Sequence, residues 1–178
     1  VTASLVGTIT KGYDGGASAS YASANYSLSG VVGGDTVTIN NPTSGIYTSN
    51  GTAPGSGAAG IANVGTGKSV QATGVAITSA INGGATVYGY GISTTATGVV
   101  GEITKVNLSA TGTEPYNGTS TFTNSNILVS GVAGQTFTVT SGTATMGNNG
   151  NVQTNQALVS FTSPVLFSAG GSLASNYN

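Results

Sequence analysis

The sequence predicts an all-β chain of two tandem β-sandwich-like modules, Ig-like or β-grasp-like. Three observations carry that reading: β-branched and small polar residues alternate at a period of two, Asn-Gly and Gly-Gly signals punctuate the alternating runs, and one ordered set of phrases occurs twice. Alternation sends successive side chains to opposite faces of a strand, and Asn-Gly supplies the positive φ angles of tight hairpin turns. No stretch carries a 3.6-residue apolar stripe with helix caps.

The elements follow in order. Thr36-Val37-Thr38-Ile39 reads as a half-buried strand entered from the turn Gly33-Gly34-Asp35. After the Asn50-Gly51 turn, residues 52–63 are rich in Gly and Ala. They are expected to be loop, because Gly costs about 1 kcal/mol in a helix interior. Residues 71–77 form the next strand, before the turn at Asn82-Gly83-Gly84. In the second half, Asn117-Gly118 is a turn, Thr136-Phe137-Thr138-Val139 a strand, Asn148-Asn149-Gly150 a turn, and residues 156–161 a strand.

The duplicated phrases set the modules. Gly7-Thr8-Ile9-Thr10-Lys11 with Tyr13-Asp14-Gly15 returns as Gly101-Glu102-Ile103-Thr104-Lys105 with Tyr116-Asn117-Gly118. Leu28-Ser29-Gly30-Val31-Val32-Gly33 then returns as Val129-Ser130-Gly131-Val132-Ala133-Gly134. Repetition of this kind builds length and surface more readily than a catalytic pocket. The modules are expected at residues 7–98 and 99–178, with residues 1–6 a strand that completes a preceding module. Read as a circle, the sequence closes into two complete modules; read as a line, the second lacks its last strand. Either the chain is one period of a longer tandem polypeptide, or an N-terminal strand carrying Val1, Ala3, Leu5 and Ile9 completes the second module of a neighbouring copy. The plain alternative is that this strand folds back onto its own chain. An uncovered sheet edge exposes unpaired N–H and C=O groups, which is why a partner strand is sought.

Composition excludes several functions. Only 4% of the 178 residues are charged, and the chain has no His, Cys or Trp. Three lysines cannot neutralise a phosphate backbone, so nucleic acid is excluded as a partner. The apolar runs fall far short of the ~20 residues of a spanning helix, so no membrane insertion is expected. A net charge of -1 leaves little repulsion between copies, so the expected partner is the chain itself.

These phrases, with Tyr26 to Thr38, Asn63 to Val70 and Ser175-Asn176-Tyr177, resemble the YDG-type repeats of filamentous-haemagglutinin-like secreted bacterial adhesins. The resemblance spans nearly the whole chain in two copies. It implies a tandem repeat on a Gram-negative cell surface, extracellular and without enzymatic activity. The second copy departs from the pattern, with Asn117 in place of Asp and no counterpart of Gly65-Thr66-Gly67-Lys68. The first copy lacks the strand that residues 106–110 suggest in the second.

Motifs with chemical potential have plainer readings. Gly65-Thr66-Gly67-Lys68-Ser69 is not a phosphate loop, because Ala62 stands where the first Gly is required and no helix pattern follows. Asp14 and Asp35 in Gly-rich turns are expected to cap local N–H groups, since calcium needs six to eight oxygens and carboxylates are scarce here. No catalytic residue, metal ligand or cofactor site is expected. A Lys–Asn crosslink through Lys11 or Lys105 would need a buried acid beside it, and nothing local identifies one. Tyr13 and Tyr116 recur and are expected in the repeat core. Tyr88, Tyr90 and Tyr177 are the candidate surface-contact aromatics, suited to a glycan or host surface because tyrosine stacks on sugar rings. The function expected is structural: a fibre, sheath or adhesin stalk, with a glycan-binding module as the alternative.

Overall fold

A computed structural model describes residues 1–48, 61–147, 150–152, 154–155, 158–168 and 173–178. The expected Asn50-Gly51 turn, most of the 52–63 loop and most of the Asn148-Asn149-Gly150 turn lie outside the described residues. The chain is all-β; its helical segments among the described residues are single 3-10 turns. It divides into two compact units, Val1–Thr104 and Lys105–Asn178.

The first unit contains β1 (Thr2–Leu5), β2 (Ile9–Gly12), β3 (Ser18–Ser20), β4 (Tyr26–Ser29) and β5 (Asp35–Ile39). It continues with β6 (Ser44–Thr48), β7 (Gly65–Thr73), β8 (Ile77–Asn82), β9 (Ala85–Thr86) and β10 (Thr95–Thr104). One sheet runs β3-β6-β7-β10-β1-β4, with β2 also on β10, and a smaller one runs β5-β8-β9. Alternation buries Ala19, Tyr47, Val70, Ala72, Ala96 and Ile103 as the core of the larger sheet. Tyr47 joins three strands: its hydroxyl donates to the carbonyls of Ile9 at 2.9 Å and Glu102 at 3.2 Å. Gly101 makes room for that ring, since a Cβ there would stand 2.6 Å from Tyr47 Cε1.

The repeated phrase does not open two separate modules. Its copies lie side by side in the first unit: β2 runs parallel to the second half of β10, with Ile9 opposite Gly101 and Lys11 opposite Ile103. The unit boundary therefore falls after Thr104 and not at residue 99, because β10 continues unbroken through the phrase.

The N-terminal strand is likewise placed differently from the expected strand for another copy. β1 is inserted in cis, antiparallel to β4 and parallel to β10. Ala3, Leu5 and Ile9 are buried in this unit at 6%, 3% and 3% exposure, and the Val1 ammonium donates to the Gly91 carbonyl at 2.8 Å. The reason is a short link. Only Gly12 separates Lys11 from Tyr13, which leaves no chain for a separate first strand beside β4, so β1 fills that place.

The second unit contains β11 (Ser109–Gly112), β12 (Thr121–Thr123), β13 (Ile127–Ser130), β14 (Thr136–Met146) and β15 (Leu158–Ser168). Here β11 pairs with β13 as β1 pairs with β4. The paths of β5–β6 and β7–β8 become the single long strands β14 and β15, in one sheet of order β11-β13-β14-β12 with β15 on β14. Irregular register near Gly142, whose φ is +108°, marks the join that in the first unit is a break. The residue 71–77 strand expected from alternation is such a break. Gly74 turns at φ +76°, and Asn40 clamps the corner by donating to the Gly74 carbonyl (2.8 Å) and accepting from the Ala76 N–H (2.9 Å).

Candidate functional site

The polar side chains that the two units have in common form a latch. In the first unit the Val32 N–H donates to the Tyr90 hydroxyl at 2.9 Å, and that hydroxyl donates to Asp35 Oδ2 at 2.6 Å. In the second, the Val132 N–H donates to the Tyr177 hydroxyl at 3.1 Å, and that hydroxyl bonds Gln135 Oε1. Val132 closes its Ser-Gly-Val phrase and Val32 stands one residue past the end of its own; Asp35 and Gln135 follow Val32 and Val132 by three residues each. A tyrosine near the end of each module thus ties down the turn after its β4-type strand. Asp35 also accepts from Asn82 Nδ2 at 2.7 Å. Hydrogen bonding to Asp35 holds the Tyr90 hydroxyl above the ordinary phenol value, since ionisation would set two negative charges against each other.

These contacts correct the surface assignment of two tyrosines. Tyr177 is 3% exposed and stands edge-on to Phe137, with ring centres 5.3 Å apart. Gly131 lets the ring in, because any Cβ there would collide with it. Tyr90 is half-buried in its latch. Tyr88 is exposed, as a surface aromatic should be. Sequence reasoning missed the latch, because Tyr90 and Tyr177 trail their Ser-Gly-Val phrases by different distances and share no local context.

The repeated Tyr-Asp/Asn-Gly corner has diverged. In the first unit Tyr13 is buried. Asp14 Oδ1 accepts from Lys11 Nζ at 2.6 Å and from the Gly16 N–H at 2.8 Å, the local cap expected of it. The Lys11 ammonium also reaches the Gly16 carbonyl (2.7 Å) and sits 5.7 Å from the Tyr47 ring centre. In the second unit Tyr116 is 70% exposed, contrary to its expected core role. There Asn117 accepts from the Thr119 N–H at 2.9 Å and donates to Glu114 at 2.7 Å. Glu114, Tyr116, Asn117, Phe122, Asn151 and Val152 line a cleft of about 460 Å³ in this unit.

Lys11 bonded to Asp14 holds that carboxyl below its ordinary value of 3.8. The depressed folded value makes the pair's contribution present above 3.8 and lost as pH falls through the lower folded value. With Asp14 53% exposed, the pair is worth about 0–1 kcal/mol. Asp14→Asn should lower stability to urea by under about 1 kcal/mol at neutral pH. Its deficit should disappear in strongly acidic solution, which paired denaturation curves at the two pH values would check.

Lys68, of the phosphate-loop-like phrase, donates to the Ile61 carbonyl at 3.3 Å, and burial pushes its ammonium down. The phrase itself forms the first half of β7, without a following helix to face a phosphate. Among the described residues, no group of three His, Cys, Asp or Glu could hold a metal ion, and no helix is long and apolar enough to cross a membrane. No family model, curated protein or solved structure matches this chain.

Proposed function

We propose that this chain is a structural repeat unit of an extracellular bacterial fibre, sheath or adhesin stalk, and that it is not an enzyme. The observation that carries the reading is the latch: the polar groups common to both units close turns and strands. Backbone ladders bear load along each unit, and small apolar faces hold the sheets. The resemblance to YDG-type adhesin repeats supports the same reading. After Glu114 the sequence has no Lys, Arg, His, Asp or Glu at all, so neighbouring chains meet without charge repulsion. Light scattering against concentration tests this. Association is expected, with a midpoint that shifts less than about twofold between low and high salt, because few charges are there to screen. A chain that never associates would sink the reading.

The cleft beside Tyr116 favours a second reading, a glycan-binding adhesin module. An exposed tyrosine next to Glu114, Asn117 and Asn151 combines a stacking face with amide and carboxylate partners for sugar hydroxyls. Calorimetric titration with a panel of neutral oligosaccharides should then show binding that Tyr116→Ala abolishes. Equal heats for parent and variant would remove this reading.

A further inference from the structure

We propose that the outer edge of β15 is a contact between two copies of this chain, β15 against β15 and antiparallel, continuing the second unit's sheet from one copy into the next. The inference rests on the fibre reading and names one of the surfaces a fibre needs, since a twofold contact alone closes into a dimer.

Comparison of the two units marks this edge as open among the described residues. In the first unit β7 is paired on both sides, by β6 and β10, and β8 is paired on both sides, by β5 and β9. β15 follows the path of β7 and β8 together, yet among the described residues it pairs with β14 alone. The segment that fills this role in the first unit, β10, has no counterpart among the described strands of the second. Among the described residues, a row of backbone N–H and C=O groups is therefore left without a partner strand along an eleven-residue strand, a length of roughly 35 Å.

Length selects the occupant. Every other described strand with a single partner has five residues or fewer, so none could cover β15 from end to end. A second β15 is the one described open edge of equal length. Two identical strands related by a twofold axis pair antiparallel, with each supplying the donors the other needs. Charge, one of the usual guards of an edge strand, is missing. β15 carries no charge, and Val159 is 69% exposed on it. Its proline, Pro164, lies in the irregular interval between Thr162 and Val165 of the ladder to β14 and offers no N–H, so a pairing strand gains its bonds on either side of it. Neither a lysine nor an inward charge keeps a second copy away.

The test uses the full chain. Sedimentation velocity over a concentration series should show a dimer as the first associated species. Hydrogen exchange of the parent at the two ends of that series should show tenfold or greater slowing confined to residues 158–168. Val159→Lys, which places a charged edge guard at each end of the paired strands, should raise the dissociation constant at least tenfold, and Val159→Thr should leave it within about threefold. Association with unchanged exchange in β15 and slowing elsewhere would overturn this edge while leaving the fibre reading standing. No association at any concentration would overturn both. The exchange measurement needs no variant, so it decides the matter even where Val159→Lys fails to fold.

Discussion

Tyr177→Ala is expected to destabilise the second unit by about 3–5 kcal/mol, the cost of emptying an aromatic site that cannot collapse. The side chain is 3% exposed, packs edge-on against Phe137, and closes the turn at Val132 through its hydroxyl. Tyr177→Phe separates the two contributions. It keeps the ring and removes the hydroxyl that accepts from the Val132 N–H and donates to Gln135, so the expected loss is about 1–3 kcal/mol. Tyr90→Phe makes the same deletion in the first unit and should cost less, because Tyr90 is only half-buried and water can replace its hydroxyl. Urea unfolding of the three variants, with hydrogen exchange to assign the loss to one unit, checks the ranking. Equal small losses for Tyr177→Ala and Tyr177→Phe would show that the ring is not part of the second core.

The second large effect concerns the N-terminal strand. Gly98 lies where β10 passes β1, and a Cβ there would collide with the Leu5 carbonyl oxygen and stand 2.9 Å from its carbonyl carbon. That obstacle is backbone, so it cannot rotate aside; β1 must move as a whole. Gly98→Ala should therefore cost about 3 kcal/mol, at the upper end of overpacking, and should release the β1 amides to exchange before the rest of the unit. Gly33→Ala is the matched control, because its added methyl would meet nothing within 4 Å. If the two variants are equally stable, β1 does not sit against β10 as described.

Much of the fold was legible because its signals are local. Alternation at 36–39 and 136–139 lies within β5 and β14, and the glycines at 34, 83 and 118 turn at positive φ where Gly-rich signals placed turns. Strand continuity was harder to read. Gly74 ended a run that alternation carried to Ile77, whereas Gly142 and Pro164 did not end theirs, since cross-strand pairing decides whether such a residue becomes a corner or a bulge. The destination of residues 1–5 was illegible for the same reason. Their alternation shows a strand, but its neighbours lie some 25 and 93 residues away, and a repeat read as a circle suits cis and trans pairing equally.

The tyrosines give the same lesson at the candidate site. Recurrence correctly marked Tyr13 as core but missed that Tyr116 points to solvent. In the first unit Lys11 and Asp14 brace the corner that contains Tyr13, whereas Glu114 and Asn117 form a different brace in the second. Tyr90 and Tyr177 share no immediate sequence context, so their common role emerges only from the turns that they reach.

Electron microscopy of the concentrated, purified chain tests the central claim most directly. Filaments or sheets of constant width with a regular axial repeat are expected, persisting at high salt. Dispersed particles of single-chain size at every concentration would contradict it.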